Sequence, residues 1–311
     1  MTKVPVWLDC DTGTDDSVAI MLAHALDEIE ILGISTVCGN TTLNNAFYNT
    51  HRVCGLIGAG YPIYRGAVCP QIVPLNLASA FHGENGLGNV ELPVPDGAVM
   101  HEESAWSAIY ACAKEHPHEL RLIATGPLTN IATAFAVYPD LPSLIHTLLI
   151  MGGAATYGNI TPSAEFNIHA DPHAAAMVFR SGVPIVMCGL DVTLQAYLTA
   201  EDLDEFAALG TPAGKFVHDC LQLGLKNLTA MGQPGVAMHD SCPVMYLVHP
   251  EFFEGDEAGV VVETRGTITN GKTVTDLFSD KQFPFKNAYV PLKLDREKFL
   301  AVLKDCIARI K

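Results

Sequence analysis

The segment Asp9-Cys-Asp-Thr-Gly-Thr-Asp-Asp16 places four carboxylates within eight residues, directly after the apolar run Val4–Leu8. Crowded into a dry site, such charges repel one another and raise each other's pKa. Two things relieve that repulsion. One is a hard divalent cation, which takes several oxygen ligands. The other is a helix N-terminus, whose partial positive charge favours acidic residues such as Asp15 and Asp16 in its first turn. The four could instead be caps and surface charges, but Asp9 and Asp11 fall where an α/β sheet carries its chemistry, just beyond a strand.

The elements that must position this cluster are readable from the alternation of apolar runs and amphipathic stretches. Strands are expected at Val4–Leu8, Ile29–Val37, Leu120–Ala124, Thr147–Met151 and Val183–Cys188. Helices are expected at Asp15–Leu26, Asn44–Gly58, Ala105–Glu115, Leu128–Val137, Pro172–Arg180 and through the region from Ala200 to Leu247. Ala258–Glu263, Thr267–Thr269 and Lys272–Asp276 read as a small antiparallel addition, closed by a helix from Asp295 to Ile310. Strands alternating with helices imply βαβ units. The expected fold is therefore one α/β domain over residues 1–311, an open Rossmann-like, mostly parallel central sheet flanked by helices, with the antiparallel strands near the C-terminus. Polar residues follow the strands where a ligand would bind: Gly39-Asn40, Thr125-Gly126 and Gly152-Gly153. Pro70–His82 has no clear periodicity, and loops of that length are often functional.

Composition narrows the ligand. With 18 Lys+Arg against 34 Asp+Glu the formal charge is −16, which repels phosphate backbones and argues against a nucleic-acid partner. A small neutral molecule, or one held on a metal, fits better. The nine cysteines are scattered without a CxxC pair, as expected of free thiols in a reducing compartment. No apolar signal core precedes the first acidic residues, and no apolar run reaches the ~18 residues that span a bilayer. A cytoplasmic protein with no membrane partner is the expectation.

The cluster resembles the Asp-x-Asp-x-x-x-Asp-Asp fingerprint of the nucleoside hydrolase family. Further segments are similar in order and spacing: Val37-Cys-Gly-Asn40, His82-Gly-Glu-Asn-Gly-Leu-Gly88, Thr125-Gly-Pro-Leu-Thr-Asn130, Met151-Gly-Gly153, Ala164-Glu-Phe-Asn-Ile168 and Met238-His-Asp-Ser-Cys242. The resemblance implies hydrolysis of the N-glycosidic bond of ribonucleosides to ribose and free base, in nucleoside salvage. It also implies one calcium ion per subunit, held by Asp11, Asp16, the carbonyl of Thr125 and Asp240. A water on that ion would be the nucleophile, with Asp11 accepting its proton. Asp15, Asn40, Asn159, Glu165 and Asn167 would bind ribose hydroxyls, which offer both donors and acceptors. A homo-oligomer, dimer or tetramer, is also implied.

A nucleobase leaves poorly without a proton donor. His239, beside Asp240, matches the family's His-Asp pair and is the expected leaving-group residue. His82, at the head of a glycine-rich segment suited to a mobile flap, is a second candidate, either in the chemistry or as a hinge. His169 would share a face with Asn167 if its segment were extended. Phe81, Tyr157 and Phe166 could stack on a base, and Leu221–Met231, including Gln222, Asn227 and Met231, is expected to line the base pocket. The two tryptophans, Trp7 and Trp106, both lie outside that segment, which favours a broad or pyrimidine-leaning preference. Two other readings compete. A magnesium-dependent phosphatase of the haloacid-dehalogenase type also opens on Asp-x-Asp after a strand, but it needs a lysine at a later strand end, and none follows a clear strand in the first two hundred residues. A nucleoside- or sugar-binding protein without catalysis would keep the pocket alone.

Overall fold

The computed structural model describes residues 3–278 and 282–310. Among the described residues there are eleven strands: β1 Val4–Cys10, β2 Ile29–Thr36, β3 Ile63–Arg65, β4 Arg121–Ala124, β5 Thr147–Met151, β6 Ile185–Cys188, β7 Tyr197–Leu198, β8 Val236–Ala237, β9 Phe253–Val262, β10 Thr273–Asp276 and β11 Ala288–Leu294. Nine of them form one sheet in the order β10-β9-β11-β6-β5-β4-β1-β2-β3. The run from β11 to β3 is parallel, and β9 and β10 extend it antiparallel. β7 and β8 pair separately.

β1 shows why this is a covered sheet. Val6, Leu8 and Cys10 enter one apolar core and Trp7 the other. β4 and β5 divide likewise, Ile123 and Leu149 to the first core and Leu122, Ala124, Leu148 and Ile150 to the second. A strand with both faces buried loses the polar alternation of an exposed one and reads as a continuous apolar run. Truncating such a core leucine to alanine costs about 2–5 kcal/mol. Helices Thr14–Ala25, Pro212–Ala230 and Arg296–Arg309 cover the first face, and Ala105–Glu115, Thr129–Val137 and Pro172–Phe179 the second. Strand order reverses between β4 and β1, and the crevice beyond their carboxyl ends is where such sheets bind ligands.

Local expectations are corrected at several points. The region from Ala200 to Leu247 is not helical throughout: Pro234 and Gly235 interrupt it, and β8 follows, pairing with β7. Gly235 approaches the Leu198 carbonyl too closely for any side chain. Thr267–Thr269 is not a strand but part of the turn joining β9 to β10, which closes through Gly271 at φ +80°. Besides β8, three strands were not anticipated: the three-residue β3, the two-residue β7, and β11. β11 inserts between β6 and β9, and its register shifts between Pro291 and Lys293, as suits a residue with no N–H to give a ladder. Among the described residues no helix is long and apolar enough to cross a membrane. All nine cysteines are free, and eight are buried.

Candidate active site

A cavity of about 470 Å³ opens beyond the carboxyl ends of β1, β4, β5 and β6. That volume lies within the roughly 300–1,000 Å³ typical of small-molecule sites. Asp15, Asn40, His82, Thr125, Asn159, Glu165, Asn167, His239 and Asp240 all line it. Asp11 and Asp16 are fully buried just behind that wall.

The acidic cluster is built at the junction of β1 with the helix Thr14–Ala25. Asp16 accepts from the Gly13 N–H at 2.9 Å, which caps the helix, and from the Thr125 hydroxyl at 2.7 Å, which ties the cluster to β4. Asp11 accepts from the Asn40 backbone N–H at 2.6 Å and its side-chain amide at 3.2 Å. The same Asn40 amide reaches Asp16 at 2.9 Å, so one residue beyond β2 holds two carboxylates in register. Gly39 is required beside it, because a Cβ there would collide with the Asp11 carboxylate and the Pro127 ring.

Oxygens of Asp15, Asp16 and Asp240 lie within 4.8 Å of one another. Asp15 Oδ1 and Asp240 Oδ2 are buried without a hydrogen-bond partner among the described residues, a costly state for a carboxylate. Burial first, then the charge of Asp16, raises Asp11 well above the ordinary carboxylate value and Asp15 to about 7. Asp240 is also raised well above it, by burial and then by Asp15, Asp16 and Asp11. Orphaned oxygens, mutual repulsion and an all-oxygen donor set are what a hard cation resolves, and the residues present fit one. Asp15, assigned to ribose by the family resemblance, stands in this closest trio. Asp11 lies outside it.

Thr125 and Asn167 join the wall above. The Asn167 amide donates to the carbonyls of Thr125 at 2.7 Å and Met151 at 3.1 Å. Glu165 caps the short helix Phe166–Ala170: its oxygens accept from Gly153 at 2.9 Å, Asn167 at 2.9 Å and Ile168 at 3.1 Å. Burial, only partly offset by those three N–H groups, raises Glu165 to about 7. Asn159 faces the cavity while its Oδ1 accepts from Phe166 N–H at 2.9 Å. Because the segment is helical, His169 does not share a face with Asn167; it packs under Gly271 instead.

Two histidines complete the site, and His82 stands beside the acidic cluster, its Nδ1 3.9 Å from Asp15 Oδ1. His82 Nδ1 receives the Thr14 backbone N–H at 3.2 Å and lies 3.1 Å from the Thr14 hydroxyl. His239 Nδ1 lies 2.8 Å from the Thr193 hydroxyl. Burial lowers both to about 4; the proximity of His82 adds to the effect at His239. At neutral pH both are neutral imidazoles able to donate one N–H. The glycine-rich segment after His82 is pinned: Asn49 donates to the Asn85 carbonyl at 2.8 Å, and Gly88, at φ +63°, sits against the Cys220 carbonyl where no side chain fits.

Phe81, Tyr157 and Phe166 line the cavity, as do Gly224, Leu228 and Met231 of the helix Pro212–Ala230 and its cap. Gln222 and Asn227 do not: Gln222 pairs with His218, and Asn227 donates to the Ala80 carbonyl at 2.9 Å. Asp9, first of the four carboxylates, also turns away. It accepts from Ser35, and from Asn130 at 2.8 Å, beneath the site. Sequence reasoning missed Thr14 and Thr193, which hold the two imidazoles. Thr14 at least lies inside the fingerprint, whereas Thr193 carries no mark in the sequence.

A family model described as inosine-uridine preferring nucleoside hydrolase matches residues 6–301. The chain is 39% identical over 312 residues to the pyrimidine-specific ribonucleoside hydrolase RihA of Citrobacter koseri, covering 98% of each chain. It is 40% identical to the protein of the same description from Shewanella woodyi, covering 99% of this chain and 98% of that one. Among solved structures, the purine-preferring ribonucleoside hydrolase from Gardnerella vaginalis superposes with a TM-score of 0.92 at 32% identity, over 98% of each chain. Matched almost end to end by that family model and by relatives 39–40% identical, the chain belongs to the inosine-uridine preferring nucleoside hydrolase family, a family of N-glycosidases.

Proposed function

We propose that this chain hydrolyses ribonucleosides to ribose and free base, with pyrimidine nucleosides preferred and one calcium ion in the acidic cluster. The observation that carries the reading is the meeting of the buried carboxylates with His82 and His239 in a single nucleoside-sized cavity. The preference for pyrimidines rests on relatives described as pyrimidine-specific at 39–40% identity, above the 32% of the purine-preferring structure.

In this reading Asp11, Asp16, the Thr125 carbonyl and Asp240 would hold the ion, with Asp15 beside it, since its carboxylate lies with those of Asp16 and Asp240. When bound, calcium supplies the positive charge that acidifies water and polarises a sugar diol. Asp11, anchored by Asn40, takes the proton of the attacking water. Asp15, Asn40, Asn159, Glu165 and Asn167 bind the sugar hydroxyls. Glu165 has three backbone donors on its two oxygens and keeps acceptor capacity for a hydroxyl. The buried carboxylates also face the positive charge that grows on the sugar as the bond breaks. His239 and His82 meet the leaving base with N–H donors.

The test is Asp11→Ala. Turnover of uridine should fall by at least about 100-fold, while the variant still binds nucleoside. Undiminished ribose release would remove Asp11 from the chemistry. Phosphate release from a phosphorylated sugar with magnesium would instead favour the phosphatase reading.

A further inference from the structure

We propose that Thr193 is a positioning residue for leaving-group departure: its hydroxyl fixes the His239 ring with Nε2–H directed at the nucleobase. The inference rests on reading the cavity as a nucleoside site, and it deepens that reading.

Thr193 ends the short helix Leu190–Thr193 that follows β6, and it is fully buried. Its hydroxyl lies 2.8 Å from His239 Nδ1. Among the described residues that hydroxyl has no second hydrogen-bond partner. A hydroxyl–imidazole contact can run either way, and satisfaction of the buried groups decides it. With the proton on Nδ1, the ring would donate to Thr193 and the threonine O–H would be a buried donor without an acceptor. With the proton on Nε2, Thr193 donates to Nδ1 and both groups are satisfied, which is the general state of buried polar atoms. The second arrangement leaves Nε2–H on the side of the ring away from Thr193, and His239 lines the cavity.

The other imidazole obeys the same logic with less freedom. The Thr14 backbone N–H can only donate, so His82 Nδ1 must accept at 3.2 Å, and His82 too carries its proton on Nε2. Two threonines on separate elements thus set two histidines in one tautomer facing one cavity. The partner of the second ring nitrogen commonly sets the tautomer of a functional histidine. Stabilisation then comes from N–H donors aimed at the charge that develops on the base as the glycosidic electron pair moves onto it.

The test uses the full-length chain and two substrates. Uridine needs its leaving base stabilised; p-nitrophenyl β-D-riboside has a leaving group that does not. Thr193→Val keeps the side-chain shape and removes the hydroxyl. It should lower kcat for uridine by about 10–100-fold, with KM changed less than about threefold and the p-nitrophenyl riboside rate nearly unchanged. Thr193→Ser should restore most of the uridine rate. Equal losses on both substrates, or none on uridine, would overturn the proposal. Should Thr193→Val fail to fold, nitrogen-15 NMR of histidine-labelled wild-type protein still decides: His239 protonated on Nε2 supports it and on Nδ1 refutes it. A wild-type protein that cleaves neither substrate would instead refute the hydrolase reading itself.

Discussion

The side-chain amide of Asn167 donates to the carbonyl oxygen of Thr125 at 2.7 Å. Since it also reaches the Met151 carbonyl at 3.1 Å, it ties the ends of β4 and β5 together in the wall of the cavity. A carbonyl has two lone pairs, so this bond orients Thr125 and leaves one pair for a cation. Groups that orient a metal ligand typically contribute about 10–100-fold in metal affinity. Asn167→Ala should therefore weaken calcium binding by about tenfold or more, measured calorimetrically with calcium alone and no nucleoside. Unchanged calcium affinity with a raised KM would restrict Asn167 to the sugar.

Gly39 has no room for a side chain beside the Asp11 carboxylate, and the Pro127 Cδ is 2.7 Å from where a Cβ would stand. Gly39→Ala must displace one or the other. Overpacking of this kind costs about 1–3 kcal/mol, which a fold of this size tolerates. The expected result is a protein that still melts cooperatively but has lost at least about tenfold in kcat, since the proposed proton acceptor would be turned from its place. Full activity would show that Asp11 is not held as described.

Far from the cavity, Asp202 accepts from Arg296 at 2.6 Å and Lys304 at 3.2 Å, and it caps its own helix through the Thr199 N–H at 3.0 Å. Burial pushes its pKa up, but Thr199, Lys304 and Arg296 together outweigh that and hold it below the ordinary value of 3.8. A depressed carboxylate contributes stability that is complete above the unfolded pKa and is lost as pH falls through the folded one. Asp202→Asn should cost about 1–2 kcal/mol at neutral pH, allowing for partial solvent screening. The gap in Tm between variant and wild type should narrow as pH drops below 3.8. A gap that persists unchanged into strong acid would refute the assignment.

Most of the parallel sheet was legible because buried strands such as Thr147–Met151 are apolar runs of strand length, and that one is observed with the bounds expected. The three-residue β3 is too short to show a pattern, and β11 carries Pro291, which reads as an interruption until its neighbour β9 accommodates it with a register shift. At the site, motif spacing located the carboxylates, amides and both histidines around one cavity. It could not show which way a side chain turns. Asp9 and Asp11 differ by two positions, yet one bonds Ser35 and Asn130 beneath the site and the other Asn40 within it. Gln222 and Asn227 lie in the helix that lines the cavity, but point to His218 and Ala80. Thr193 meets a partner 46 residues away in sequence, brought to it by the pairing of β7 with β8 and by the Met238 N–H, which donates to the Ala196 carbonyl at 2.8 Å.

Ribose release from uridine, cytidine, inosine and adenosine, each with calcium and again after chelation, tests the central claim most directly. The account predicts release that chelation abolishes and calcium restores, faster from uridine and cytidine than from the two purine nucleosides. No ribose from any of the four, in protein shown to bind calcium, would contradict it.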